Sequence, residues 1–185
     1  ALKKFLVWTA ENRDNNANGL LEWFTEPDYT ECKCGESGLD NSPRFDFDVE
    51  LDAIDFSTYL CNDAKYLSMI YNELGDNENA DYFNKLHQNV KNKINSLLWC
   101  EEDGLYYDRL FSGELTRVAT PSSFLPMFAG ICSQEQADKM VKVLLDENRF
   151  WTKLPIPSMP IPFFSLTCLT NVFCFQHSSH KKISP

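Results

Sequence analysis

The sequence predicts an all-α fold built from helical hairpins, and three observations support this class. Apolar residues recur every three or four positions over two long stretches, residues 55–74 and 80–98. Glycine and proline are absent from both stretches, and the short turn Gly75-Asp76-Asn77 joins them as in an antiparallel helix pair. With 185 residues, 43% of them hydrophobic, the chain is long enough for one sizeable core.

The first helix is predicted from Leu2, Phe5 and Leu6, which share one helical face within the first dozen residues. The run Asp14–Gly19 interrupts it. In the first long stretch, the tyrosines at positions 59, 66 and 71 follow the apolar period, so we assign them to the core.

Two further helices are predicted after residue 117. Thr120-Pro121-Ser122-Ser123 is typical of a helix start and precedes a helix over 124–131. Ser133-Gln134-Glu135-Gln136 resembles a capping box and precedes a helix over 137–148. A tetratricopeptide-like array would also contain helical hairpins, but the sequence shows no 34-residue period.

Charge and composition exclude several function classes. The net charge is -10 and the isoelectric point is near 4.7, which argues against nucleic acid and anionic membranes as partners. Residues 2–10 are too short and too interrupted by lysines for a signal segment or a membrane span. We therefore expect no membrane partner, and an internal piece of a longer chain.

Seven scattered cysteines do not form a disulfide pattern, because their number is odd and they fall in helical stretches. Reduced thiols favour a cytoplasmic location. Cys32 and Cys34 have no matching histidine or cysteine partners, so a structural metal there is not favoured.

The composition changes near residue 150 and predicts two segments. Residues 151–185 contain no Asp or Glu and hold five of the nine prolines. We expect residues 1–150 to form the helical domain. We expect residues 151–185 to be an atypical tail that arises from a truncated gene, read-through or an insertion.

A charged loop carries the strongest functional signal. Residues 35–46 combine three carboxylates, an arginine, two glycines and a proline, a mixture suited to holding charges in place. The run Glu36-Ser37-Gly38-Leu39-Asp40-Asn41-Ser42-Pro43-Arg44-Phe45-Asp46 resembles the acid-bearing loop of inverting glycosidases built on (α/α)6 barrels. Glycoside hydrolase family 63 and its mannosylglycerate hydrolase-like and trehalase-like relatives have this loop.

The flanks extend the resemblance over residues 2–159. Residues 13–23 resemble the segment before the acid loop, and Leu97-Leu98-Trp99 with Asp103-Gly104-Leu105-Tyr106-Tyr107-Asp108 resembles the following hairpin. The resemblance implies a partial (α/α)6 toroid, an incomplete six-hairpin barrel whose remainder would be its structural partner.

The resemblance also implies roles for the loop. By position in the motif, Asp40 matches the general acid, which needs a raised pKa to be protonated when it acts. Glu36, Gly38 and Arg44 are candidate substrate-binding residues. For Arg44 an ion pair with Asp46 or Glu36 is an equal alternative. Trp23 and Phe45 are candidates for stacking on sugar rings, although aromatic residues at such junctions are more often core anchors.

Residues 14–19 resemble the first half of a calcium loop. Asp14, Asn16 and Asn18 occupy positions one, three and five, and glycine occupies position six. Position twelve is Thr25 rather than glutamate, while Glu22 at position nine could partly substitute. A simple Asx-rich turn is the alternative. No cofactor is required for catalysis, and calcium here would be structural.

The catalytic base is missing from the part of the chain that shows the resemblance. Glu101, Glu102 and Glu147 do not lie in the expected context, so we expect this chain alone to be inactive. The leading hypothesis is an inverting glycosidase acting on α-linked glucosides, mannosyl compounds or related small glycans. The alternative is a non-catalytic helical domain that binds glycan or calcium.

Overall fold

The computed structural model describes residues 1–23, 34–39, 42–46 and 50–160. Helices dominate this part of the chain, as predicted. Their bounds are Leu2–Asn12 for α1, Ile54–Glu73 for α2, Asn77–Lys93 for α3, Leu125–Phe128 for α4 and Gln134–Leu144 for α5. Single turns of 3-10 helix cover Gly35–Ser37, Pro43–Phe45 and Pro121–Phe124, and a π-helical turn, Ile94–Leu98, continues α3.

Helices α2 and α3 form the predicted hairpin. Gly75 adopts a positive φ of 74° directly after α2, a conformation that glycine allows at little cost. The next residue, Asp76, caps α3 by accepting the N–H of Asn79. Farther along the pair, Ser68 donates to the carbonyl of Ala80 at 2.8 Å.

Two short antiparallel ribbons complete the described fold. Strand β1 (Leu51–Asp52) pairs with β4 (Arg109–Leu110), and β2 (Trp99–Cys100) pairs with β3 (Leu105–Tyr106). Each strand has only two residues, which is too short for a periodic pattern to predict. The first ribbon matters for the site, because it brings the segment before β4 next to the start of α2.

The main core lies between the hairpin, α1 and the segments after α3. Its fully buried members include Leu6, Leu20, Leu21, Ile54, Cys61, Ala64, Phe83, Ile94, Leu98, Leu105, Tyr106, Met140 and Phe150. Tyr71 is half-buried against this core. Tyr59 and Tyr66 are 47% and 51% exposed, so their assignment to the core is wrong. The face of α2 with Leu60, Cys61 and Ala64 is buried instead.

The two late helices differ from prediction in their bounds. The helix expected over 124–131 is a 3-10 turn followed by the one-turn α4, which Gly130 follows with a positive φ of 68°. The helix expected over 137–148 begins at Gln134 and ends at Leu144.

Within the described residues, no helix is long and apolar enough to cross a membrane. Most of the predicted tail, residues 161–185, lies outside the described residues.

Candidate active site

Arg44 is the centre of a buried polar cluster, and its side chain is 0% exposed. Nε and Nη2 donate to the two carboxylate oxygens of Asp108, each at 2.7 Å. Nη1 and Nη2 donate to the two carboxylate oxygens of Asp55, and Nη1 also donates to Ser122 Oγ at 3.1 Å. These contacts use all five N–H groups of a guanidinium. We call Arg44, Asp55, Asp108 and Ser122 the Arg44 cluster.

Four separate parts of the chain supply this cluster. Arg44 lies in the 3-10 turn Pro43–Phe45, and Asp55 lies in the first turn of α2. Asp108 lies between β3 and β4, and Ser122 lies in the turn before α4. A planar guanidinium between two carboxylates accepts only a narrow range of geometries. The cluster therefore holds the loop that carries Arg44 in a defined position against α2.

The two carboxylates are also bound by the backbone at the start of α2. Ile54 N–H donates to Asp108 at 2.9 Å, and Phe56 N–H donates to Asp55 at 2.8 Å. Burial opposes the ionisation of Asp55, but the hydrogen bonds and charge of Arg44 outweigh it and hold the pKa of Asp55 below its usual value. Complete burial raises the pKa of Asp108, and the charge of Asp55 adds to this effect despite Arg44.

This geometry shows what Arg44 and Glu36 contact. The carboxylate partners of the Arg44 guanidinium are Asp55 and Asp108, whereas Glu36 accepts two hydrogen bonds from Arg13. With all five N–H groups engaged, the guanidinium has none left for a sugar hydroxyl in this arrangement. The geometry favours a positioning role for Arg44, and direct substrate binding by Arg44 and Glu36 stays a prediction.

The predicted acid, Asp40, lies outside the described residues, so the structure describes only the residues around it. On the N-terminal side, the turn Gly35–Ser37 ends at Gly38, whose φ of 70° is left-handed and favours glycine. Ser37 Oγ donates to the Cys34 carbonyl at 2.7 Å and accepts the N–H of Leu39 at 3.1 Å. The backbone leading to Asp40 is thus ordered by its own side chains.

The two aromatic candidates occupy different environments. Trp23 is half-buried, stacks on Phe56 at a centroid distance of 4.0 Å, and donates from Nε1 to Asp55 at 2.9 Å. Phe45 is 3% exposed and belongs to a small buried cluster with Cys34, Leu51 and Ala53. The contacts of Phe45 fit a core anchor. Sugar stacking by either ring stays a prediction.

The predicted calcium residues form a compact loop, which we call the cation loop and define as residues 14–22. Asp14 accepts the N–H groups of Asn18 and Gly19 at 2.9 and 2.8 Å. Asn16 and Asn18 donate from their side-chain amides to the two oxygens of the buried Asp52, at 2.9 and 2.8 Å. Arg109 also binds Asp52, at 3.2 Å. The loop is therefore organised around carboxylate and amide groups, the ligand types that calcium prefers.

Glu22 is the last residue of the cation loop, and its surroundings indicate whether a cation fits there. Its side chain is buried, and Oε2 accepts the N–H of Asn15 at 2.9 Å. Its other oxygen, Oε1, is buried without a hydrogen-bond partner among the described residues. Burial raises the pKa of Glu22 to about 7, and the nearby charges of Asp52 and Asp14 act in the same direction. A buried carboxylate oxygen without a hydrogen-bond partner fits a calcium ligand.

Sequence reasoning missed the two acids that bind Arg44. Asp55 was interpreted only as the first residue of a helix, and Asp108 only as part of a turn. The Gly-Leu-Tyr-Tyr-Asp run contains a signal for Asp108. Two aromatic residues directly before an acid indicate a buried segment, and a buried carboxylate needs a charged or hydrogen-bonding partner.

Comparisons with known proteins agree with this architecture. Residues 1–162 match the mannosylglycerate hydrolase MGH1-like glycoside hydrolase domain. A human trehalase is 30% identical over 151 residues, which cover 74% of this chain and 26% of that protein. The fold is similar to that of a family 63 mannosylglycerate hydrolase from Thermus thermophilus, with a TM-score of 0.68 and 20% identity. That match covers 83% of this chain and 45% of the other.

The helical hairpins and their neighbours define the class of protein as a partial (α/α)6 toroid of the glycosidase type, as predicted from the acid loop. The chain belongs to the MGH1-like glycoside hydrolase family, within the wider family 63 and trehalase-like group. It spans about a quarter of the length of the human trehalase and less than half of the Thermus thermophilus enzyme, 26% and 45% respectively.

Proposed function

We propose that this chain forms the acid-bearing part of the active site of an inverting glycoside hydrolase, with Asp40 as the general acid. The observation that carries the proposal is the Arg44 cluster. It fixes the backbone four residues after Asp40 through a buried guanidinium and two carboxylates. An acid must be held within hydrogen-bond reach of the glycosidic oxygen to protonate it. A buried anchor four residues farther along the chain supports such positioning.

In this mechanism Asp40 protonates the leaving oxygen, while a second carboxylate activates water on the opposite face of the sugar. Glu101 and Glu102 are poor candidates for this base, because both are exposed and bind Lys139 and Arg117. The base would come from polypeptide that completes the barrel, so the 185-residue chain alone would not turn over substrate. The substrate class is an α-linked glucoside, a mannosyl compound or a related small glycan.

The test uses the complete natural protein that contains this segment. Asp40→Asn is expected to lower kcat on trehalose or mannosylglycerate by about 100-fold to 10,000-fold, the usual contribution of general acid catalysis. The same variant should keep most of its activity on an α-glycosyl fluoride, because fluoride leaves without protonation. Equal losses on both substrates would contradict the general-acid role of Asp40.

The stereochemistry of the product tests the inverting mechanism separately. An α-linked substrate should first release the β-anomer, since water attacks from the face opposite the leaving group. Proton NMR of the anomeric signals in the first minutes of reaction would show which anomer forms. The readout uses mannosylglycerate, whose leaving group is not a sugar, because the leaving glucose of trehalose is released as the α-anomer under either mechanism. Initial release of α-mannose would indicate a retaining mechanism instead.

We also propose that the cation loop binds calcium as a structural ion. Asp14, Asn16 and Asn18 would hold it together with Glu22, whose buried Oε1 supports the assignment. When bound, the ion supplies positive charge to a region with three carboxylates. This site also supports the alternative function, a non-catalytic calcium-binding or glycan-binding domain. Calcium binding without any turnover by the complete protein would favour that alternative.

A further inference from the structure

Trp23 lies directly between the two polar assemblies of the described structure. It follows Glu22, the last residue of the cation loop, and its indole donates to Asp55 of the Arg44 cluster at 2.9 Å. We infer that Trp23 is a positioning residue that transmits cation occupancy of the loop to the Arg44 cluster. The inference rests on the calcium site proposed above.

The backbone around Trp23 leaves little room for independent movement. Leu21 N–H donates to Ser57 Oγ at 2.9 Å, and the Leu21 carbonyl accepts the N–H of Ala53 at 2.8 Å. Glu22 N–H donates to the carbonyl of Arg13 at 2.8 Å. The end of the cation loop is thus tied to the start of α2 on one side and to the end of α1 on the other.

A second connection runs through the β1–β4 ribbon. Asp52 accepts the side-chain amides of the cation loop and pairs with Arg109, to which it lies opposite in the ribbon. Asp55 follows Asp52 by three residues, and Asp108 immediately precedes Arg109. Both acids of the Arg44 cluster therefore lie within three residues of the Asp52–Arg109 pair. If ion binding moves Asn16 and Asn18, Asp52 should move with them, because it accepts their side-chain amides. The short β1–β4 ribbon would then carry this movement to Asp55 and Asp108.

The cation loop is also accessible. A cavity of about 620 Å³ is lined by Asp14, Ala17, Asn18 and Gly19 together with Leu60 and Lys93. The cavity gives access to the Asp14 and Asn18 side of the cation loop, whereas Asn16 and Glu22 do not line it. Glu22 Oε1 provides the buried unsatisfied oxygen that an ion would bind.

The experiment uses the 185-residue chain and calcium chloride alone, with two readouts. Isothermal titration calorimetry measures binding, and hydrogen exchange measures the amides of Ile54 and Phe56, which donate to Asp108 and Asp55 of the cluster. If their opening requires release of the ion, exchange slows by up to about 100-fold at a calcium concentration 100 times the dissociation constant. Amides of α5 serve as the internal control, because α5 supplies no residue to either assembly.

Three variants separate the possible causes. Glu22→Gln should lose calcium binding and the protection together. Trp23→Phe removes the indole donor, so it should keep calcium binding but lose most of the calcium-dependent protection at residues 54–56. Trp8→Phe changes a tryptophan on α1 that is 52% exposed and should behave like the unmodified chain.

The outcomes distinguish the inference from the proposals on which it rests. Calcium binding without slower exchange at residues 54–56 overturns the coupling and leaves the calcium site standing. Equal protection in Trp23→Phe, or equal slowing in α5, also overturns it, because the effect would then be general stabilisation. Absence of calcium binding overturns both the site and the coupling, while the role proposed for Asp40 is tested independently.

Discussion

At the scale of single residues, Arg44 shows how a buried charge is paired and hydrogen-bonded. A guanidinium between two carboxylates satisfies every donor, whereas an isolated buried charge would cost several kcal/mol. The pKa of Arg44 is raised, because the charges and hydrogen bonds of Asp108 and Asp55 outweigh its burial. The same logic predicts a large penalty for removing one partner.

Arg44→Met should destabilise the chain by about 3–5 kcal/mol, because two buried carboxylates would lose their counter-charge. Urea unfolding followed by circular dichroism measures the change. Arg117→Met is the matched control, since Arg117 binds Glu102 at the exposed surface. The urea midpoint of the control should barely move. Similar midpoints for the two variants would show that the Arg44 cluster does not anchor the loop.

Cys61 should resist alkylation at about pH 8 in the folded chain. Burial raises the pKa of its thiol to about 12, so the reactive thiolate is scarce, and the side chain is 0% exposed. Cys132 is only half-buried and should react with iodoacetamide before Cys61 does, as measured by peptide mass spectrometry. Simultaneous modification of both cysteines would mean that α2 opens in the native state.

At the scale of elements, helix ends follow local rules that the sequence already displays. The capping box predicted at Ser133 is present, with Ser133 accepting the N–H of Gln136 and Gln136 accepting the N–H of Ser133. The Arg44 turn also has a local signal, because Ser42 caps it and Pro43 begins it. The short strands have none. Their geometry comes from contacts between distant segments.

Ser133→Ala should lower the free energy of unfolding by about 1 kcal/mol, because α5 would lose an N-terminal hydrogen-bond acceptor. Urea denaturation of the 185-residue chain measures the loss. Ser112→Ala provides the control, since Ser112 is exposed in the turn after β4. An unchanged midpoint for Ser133→Ala would indicate that tertiary contacts, rather than the cap, hold the start of α5.

At the scale of the whole molecule, the described fold leaves apolar helix faces exposed. Leu2, Phe5 and Trp8 of α1 are each more than half exposed and lie three residues apart. On α2, Tyr59, Tyr66 and Ile70 are exposed to a similar degree. Contiguous apolar surface of this kind promotes association.

The chain alone should therefore self-associate at micromolar concentration, and Phe5→Lys should reduce that association by placing a charge in the apolar stripe of α1. Size-exclusion chromatography with light scattering measures the mass. Glu11→Gln makes the same change in net charge at an exposed position of the same helix, off the Leu2-Phe5-Trp8 stripe, and should leave the association unchanged. Equal effects of the two variants would point to net charge rather than to the stripe.

Features encoded by neighbouring residues could be predicted from the sequence, whereas features that depend on distant contacts could not. The helical hairpin, the Gly75 turn, the Ser133 cap and the family were predictable, because residues close in the chain encode them. Burial of Tyr59 was predicted wrongly, since periodicity identifies an apolar face but not what lies opposite it. The two strand pairs were missed because two-residue strands carry no period.

The sequence by itself determined the family, the all-α class and the candidate acid, since these depend on residue order. Only the tertiary structure decided that Arg44 binds Asp55 and Asp108, and that Asp52 binds the side-chain amides of the cation loop. Asp55 and Asp108 lie 11 and 64 residues from Arg44 along the chain. Contacts over such separations follow from the packing of the helices and ribbons, which no local pattern records.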